Sequence, residues 1–248
     1  VLHSSKKQAV VRWWFTFVYS KSFESRMASR TETKQKLVHM QQRLLSLRNV
    51  KNADPSEISA LAELRASNHV HLQSVFDSIN DLEHTELALR FFYDELYPLT
   101  ISPWRDEQCL RVLPRMVSVM PQAATNVLLA AIALDLETEQ LDRHLLALEL
   151  AGEPLDAAAH LARRRLQLQL VGQVGQGLIQ VVRLPLMGSL LKCAKFPAKA
   201  KGLSELHGFL TRGFEAFKAI RKPDLFMEHL TRLGEMSLDD PDLKCIKK

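Results

Sequence analysis

The sequence predicts an all-α protein, a compact multi-helix bundle of about eight to ten helices. Three observations carry this reading. Hydrophobic residues make up 46% of the chain but aromatics only 7%, and Leu and Ala dominate, which favours helices over a β-rich core. The chain holds nine glycines and ten prolines, few for a sheet protein with many turns, and the prolines mostly stand where helices start. Apolar residues recur at helical spacing through most of the chain.

Residues 1–26 read as a leader outside the fold. The segment 10–19, VVRWWFTFVY, is too short and too interrupted by Arg12 to cross a bilayer. Tyr19-Ser20-Lys21-Ser22 is a poor signal-peptide cleavage site. Trp13 and Trp14 between basic residues leave an interfacial anchor open. The preferred reading starts the natural chain at Met27, because Met27-Ala28-Ser29 leads directly into helix-like sequence. Residues 27–238 are then expected to form a single helical domain, large enough to bury a sizeable core. Residues 239–248, rich in Asp and Lys, are expected to be a disordered tail.

Within that domain, residues 32–47 form an amphipathic helix. Asp54-Pro55-Ser56-Glu57 is a start signal, with Asp as N-cap, Pro at the first helical position and Glu reaching back. That helix runs to about Ile79, and another covers residues 82–99. Ser102-Pro103 starts a helix through Cys109 and Val112 that Pro114 should kink or break. Pro121 opens a very apolar helix of about 14 residues, a core element rather than a membrane span. Thr138 is expected to cap the next helix, which ends at Gly152.

Asp156 caps a long helix through Arg183. Gly172, Gly175 and Gly177 lie in it with GxxGxG spacing. No βαβ pattern surrounds them, so they read as sites of close helix–helix contact rather than a dinucleotide loop. Pro185 and Pro197 each start a further helix, the second presenting Leu203, Leu206, Phe209, Leu210, Phe214 and Phe217 inward. Pro223 or Asp224 opens a last helix to about Met236.

The helix over residues 82–99, LEHTELALRFFYDELYPL, has the most particular residue choice. At about 100° per residue, Leu82, Ala88, Leu89, Phe91, Phe92, Tyr93 and Leu96 fill one broad arc. Glu83, Glu86, Arg90 and Asp94 share the opposite face, where Arg90 can form weak solvated pairs. Pro98 ends the helix by pushing Tyr97 out of the α region. Glu95 breaks the pattern, falling between Phe91 and Phe92 on the apolar side. A carboxylate there needs a hydrogen-bond or cationic partner, a proton, or an edge position that reaches solvent. Glu95, Tyr97 and Arg90 are therefore the candidate polar anchors, structural or ligand-binding, and Phe91, Phe92 and Leu96 form the core of the segment.

Phe91-Phe92-Tyr93-Asp94-Glu95-Leu96-Tyr97 resembles the name-giving motif of the bacterial FFLEELY-motif proteins, with Tyr93 and Asp94 in place of Leu and Glu. The similarity continues through Asp106, Leu113-Pro114, Leu141-Asp142, Gly175, Gly202-Leu203, Phe209-Leu210 and Gly213-Phe214-Glu215-Ala216-Phe217, covering about residues 53–235. Members usually continue after the Tyr with Gly-Pro, whereas here Pro98 follows directly. The resemblance implies a helical bacterial protein and carries no activity or site with it.

Charge is unevenly distributed. Residues 54–107 hold 11 acids against 3 bases, and residues 157–222 hold 12 bases against 2 acids. Mutual attraction within one domain is the preferred reading over an anionic partner. Arg163-Arg164-Arg165 is an anionic-ligand candidate by composition, but three consecutive helical residues spread around the circumference and read as a solvated end. The basic half lacks aromatics interleaved for base stacking, so no nucleic acid is expected. Cys109, Cys193 and Cys245 are odd in number and widely spaced, which points to a reducing compartment and a cytoplasmic protein. Cys109 and Cys193 are expected to be small core residues. The nine histidines form no recognisable metal arrangement, no GxSxG elbow is present, and neither a metal nor a cofactor is expected.

These readings favour a non-catalytic cytoplasmic helical protein, a protein-interaction or scaffold domain with an unknown protein partner. The alternative is a binder of a lipid or apolar small molecule in a pocket between Leu-rich helices. No transmembrane segment is expected.

Overall fold

The computed structural model describes residues 30–48, 55–77, 85–99 and 103–239. The expectations for residues 1–26 and for the tail after Asp239 lie outside them. Among the described residues there are nine helices and no strand. In chain order they are α1 (30–47), α2 (Pro55–Asp77), α3 (Glu86–Phe91), α4 (Pro103–Val119), α5 (Gln122–Ala151), α6 (Ala157–Val182), α7 (Met187–Ala200), α8 (Ser204–Ala219) and α9 (Pro223–Asp239). A π-helical turn, Phe92–Leu96, continues α3.

Local signals set most boundaries. Asp156 Oδ1 accepts from the backbone N–H groups of Ala158 and Ala159 at 3.0 and 3.1 Å, which satisfies two orphan donors of α6. Gly152 closes α5 at φ 64°, a conformation that costs glycine nothing. Pro55 and Pro223 occupy first helical positions, where a missing N–H is not missed.

Three boundaries differ from the sequence reading. Pro114 neither breaks nor ends α4, which continues through it to Val119. Residues 122–151 form one helix of 30 residues. Thr138 does not cap a new one, because its Oγ1 accepts a hydrogen bond from Gln167 Nε2 on α6 at 2.7 Å. Pro197 starts no helix; it sits in the last turn of α7, and the break comes at Gly202, with φ 65°.

The core has two clusters. One gathers Leu89 and Phe91 of α3, Ile179 of α6, Phe217 of α8, and Phe226 and Met227 of α9. The other gathers Leu37 of α1, Cys109, Leu113 and Val117 of α4, Ile132 of α5 and Leu206 of α8. Helix α8 thus serves both, one end in each. Glycines allow the approach this needs: a Cβ on Gly213 would lie 2.7 Å from the Phe91 ring. One on Gly175 would collide with Met227 Sδ, and one on Gly177 with Val127 Cγ2. Two of the three α6 glycines therefore mark close helix contacts.

Cys109 is buried, and burial pushes its thiol up to about 12, leaving it unreactive. Cys193, expected in the core, is exposed. The reason is that α7 packs by one side only: Leu190, Cys193 and Phe196 face outward, Phe196 being 85% exposed. No single helix among the described residues is long and apolar enough to cross a membrane. Only the pair α6 and α7 reaches that length and composition, and it is bent by 93°.

Candidate functional site, a charged network beside an apolar cavity

Helix α5 carries Asp135, Glu139 and Asp142 at i, i+4 and i+7, which places three carboxylates along one face. Glu139 is fully buried. Its Oε2 accepts from Arg48 Nε at 3.0 Å and Arg65 Nη2 at 2.9 Å, and its Oε1 accepts from Arg143 Nε at 2.8 Å. Arg48, just after α1, also donates to Asp106 Oδ2 at 2.7 Å and to both carboxylate oxygens of Asp135. Arg65 of α2 donates to Asp142 Oδ2 at 3.0 Å. Arg143 reaches on to Glu57 Oε1 at 2.8 Å. The network ties α1, α2, α4 and α5 together.

The balance of burial and charge differs along it. Burial alone would raise Glu139, but Arg48, Arg65 and Arg143 outweigh that and hold its carboxyl below the ordinary glutamate range. Burial wins at Asp106 and Asp142, whose carboxyls are raised despite their arginines. Every carboxylate here already accepts from a guanidinium. Among the described residues no group of three or more His, Cys, Asp or Glu side chains is placed to hold a metal ion.

The network borders a cavity of about 1120 Å³ running between the two core clusters. Leu64 and Leu72 of α2, Leu145 of α5, and Leu161, Leu168 and Val171 of α6 are typical of its mostly apolar lining. Exposed lining residues show where it meets solvent: Glu63 and Ser67 of α2, Glu149 and Leu150 of α5, and Ala157 and Ala158 of α6. Protein interiors seldom leave voids larger than a water molecule, and ligand pockets usually measure about 300–1,000 Å³. This space lies just above that range, large enough for a ligand.

The FFYDELY segment contributes to both features. Phe91 is buried in the first cluster, while Phe92, Leu96 and Tyr97 line the cavity. The π-turn explains the placement. Tyr97 N–H donates to Phe92 O at 3.0 Å, an i to i+5 bond that adds a residue to the turn and rotates the direction in which Tyr97 leaves it. Tyr97 OH donates to Asp142, at 3.2 Å to Oδ1 and 3.1 Å to Oδ2, and accepts from Asn68 Nδ2 at 2.9 Å. Burial and Asp142 push its phenol well above its ordinary value. Glu95 lies at the edge: its Oε1 accepts from Arg212 Nε of α8 at 2.5 Å, with Glu95 21% and Arg212 52% exposed. Its carbonyl accepts from Arg105 Nη1 at 2.6 Å. Arg90 is exposed and does not line the cavity.

Sequence reasoning missed two things. The acidic triplet on α5 has a readable signal, three carboxylates at one-face spacing in the middle of the helix. The other concerns the Arg163-Arg164-Arg165 run, which is not a uniformly solvated end. Arg163 pairs with Glu137 at 2.7 Å and Arg165 is exposed, but Arg164 is part-buried and lines the cavity. Among the described residues, its guanidinium donates to Gln167 Oε1 at 3.0 Å and to no carboxylate. Burial holds it below the ordinary arginine value, only partly offset by Tyr97 and Asp142. His160, one turn earlier on the same face, also lines the cavity. Burial and the cations Arg164 and Arg163 bring its imidazole down to about 4, so it is neutral at pH 7.

No curated protein and no solved structure matches this chain. Residues 47–238 match a family described as a domain of unknown function, DUF8198. That span holds the carboxylates of the network, the FFYDELY turn and the α6 wall of the cavity, and the chain belongs to this family.

Proposed function

We propose that this protein binds an apolar small molecule or lipid in the cavity between α2, α5 and α6. The observation that carries the reading is the cavity itself: about 1120 Å³, mostly Leu-lined, with a solvent-reaching mouth. A molecule seated there would make packing contacts with the apolar walls and so add to the stability of the fold. The carboxylate network supports this as a frame. It clamps α1, α2, α4 and α5 with polar bonds, so those helices need not collapse onto one another to stay together. Native mass spectrometry of protein purified from cells that make it tests the proposal. The expected result is a co-purifying apolar molecule, released on unfolding and absent from a Leu161→Trp variant whose cavity is filled. A parent that travels empty and gains no thermal stability from any long-chain amphiphile would sink it.

A second reading, a protein-interaction domain, rests on a separate observation. The outward face of α7 presents Leu190, Cys193 and Phe196, with Leu186 beside it 74% exposed at φ 64°. Such a face suits a protein partner. Phe196→Ser should then abolish a stoichiometric complex while leaving the cavity ligand in place.

A further inference from the structure

We infer that Arg164 is a head-group anchor, and that the cavity's ligand is a long-chain amphiphile carrying a carboxylate. This rests on the proposed cavity ligand and goes beyond it by naming the chemistry at one wall. The geometry carries the inference. Five arginines border the carboxylate network or the cavity: Arg48, Arg65, Arg105, Arg143 and Arg164. The first four each have a carboxylate within salt-bridge distance, between 2.7 and 3.7 Å for Arg48–Asp106, Arg65–Glu139, Arg143–Glu139 and Arg105–Asp106. Arg164 has Gln167 Oε1 instead. The acid nearest in charge, Asp142, already accepts from Arg65 Nε and Tyr97 OH.

A guanidinium presents five N–H donors and no acceptor, in a fork that matches a carboxylate. Here one is engaged by a neutral amide, the side chain lines the mostly apolar cavity, and Asp142 and Tyr97 act on it only through space. Such a cation is costly to keep unless an anion arrives. Its position suits a head group. Arg164 lies two turns into α6, and the first turn of α6, with Ala157 and Ala158, forms part of the mouth. A carboxylate on Arg164 would sit near the entrance, its chain running inward past Leu168 and Val171. His160 adds a neutral ring beside that position, which leaves Arg164 as the cation there.

The test compares palmitate with its methyl ester, by displacement of a fluorescent apolar probe from the full chain. The parent should bind palmitate about tenfold to a hundredfold more tightly than the ester, the range expected of a charge-assisted hydrogen bond. Arg164→Leu should lose that preference while ester binding stays, and Arg164→Lys should keep part of it. Palmitate, but not the ester, should also raise the NMR-observed titration of His160, because a carboxylate beside Arg164 cancels part of the positive field. Equal affinity of acid and ester, or an Arg164→Leu variant that keeps the preference, would overturn the anchor and leave the cavity reading standing. Binding of neither would overturn both. Should Arg164→Leu fail to fold, as judged by circular dichroism, Arg164→Gln and the parent's acid-to-ester ratio decide the matter.

Discussion

Arg48 and Arg164 are both drawn into the bundle, and their surroundings differ in a way that separates two uses of a buried cation. Arg48 meets Asp106, Asp135 and Glu139, and the surrounding acids raise its pKa above the ordinary arginine value despite burial. Arg164 meets a glutamine, and burial prevails. The first joins three helices, α1, α4 and α5, through four hydrogen bonds to carboxylates. The second is incomplete as it stands. A paired buried charge is thus a clasp, whereas an under-paired one bordering a cavity is a recognition element.

The largest expected effect falls on the clasp. Glu139→Ala removes one carboxylate from three guanidiniums and should cost about 3–5 kcal/mol in urea unfolding, the range for breaking a buried ion pair. Arg164→Leu should cost less than about 1 kcal/mol in the ligand-free protein, or stabilise it, since it replaces an under-compensated charge by apolar bulk. Comparable losses from the two variants would erase the distinction and make Arg164 a second clasp.

Packing gives the next contrast. A methyl group on Gly213 would meet the Phe91 ring at 2.7 Å, where both belong to a filled core. Gly213→Ala should cost about 1–3 kcal/mol. Gly172 on α6 has nothing within 4 Å of its Cβ position. There the same substitution should gain about 0.5–1 kcal/mol from helix propensity alone. A neutral Gly213→Ala would show that α3 and α8 can part, and that the Phe91 cluster is looser than the network side.

Much of the fold was legible because its signals are local. The caps at Asp156 and Gly152, the proline starts of α2, α4 and α9, and the apolar period each act within one or two turns. The illegible parts depended on distant partners. Thr138 has cap chemistry, but Gln167 claims its hydroxyl, and α5 runs on. Pro114 has breaker chemistry, yet the packing of α4 through Cys109, Leu113 and Val117 holds the helix across it. The site was half legible. Tyr97 stands out in the sequence, though as the end of an α-helix, and the π-turn that aims it inward has no signature in the wheel. Arg164 was hidden by its neighbours, since three adjacent arginines look alike in sequence and only packing chooses one.

His160 sharpens the comparison through pH. Its folded pKa, about 4, lies below the ordinary 6.5, set by burial, Arg164, Arg163 and His144 in that order. A depressed folded pKa contributes stability that is present above about 6.5 and lost as pH falls towards 4. Discounted for solvent screening, the effect is on the order of 1 kcal/mol, a few degrees of thermal midpoint. His160→Asn should flatten the parent's decline between pH 7 and pH 5. Asp106 and Asp142, with raised carboxyls, act in the opposite sense in both proteins and cancel in the difference. Bound palmitate should also flatten the decline, but only while Arg164 is present.

The smallest expected effect is at Glu95. The wheel places its carboxylate inside an apolar arc, where an unpartnered charge would cost several kcal/mol. The π-turn changes that geometry. Glu95 pairs with Arg212 at the bundle edge, and the arginine is more than half exposed. A pair so open to water contributes about 0–1 kcal/mol. The link between this segment and α4 runs through the Glu95 carbonyl and Arg105 instead, which no substitution at Glu95 removes. Glu95→Gln should therefore shift the urea midpoint only slightly, and Glu95→Ala little more, since the site can fill with water rather than leave a sealed void. Neither should alter palmitate binding, because Glu95 does not line the cavity. A loss above about 2 kcal/mol from Glu95→Gln would mean that the Arg212 pair is desolvated after all, a second clasp joining α3 to α8. The incomplete cation would then be flanked by clasps on both sides, and the contrast between network and cavity would belong to Arg164 alone.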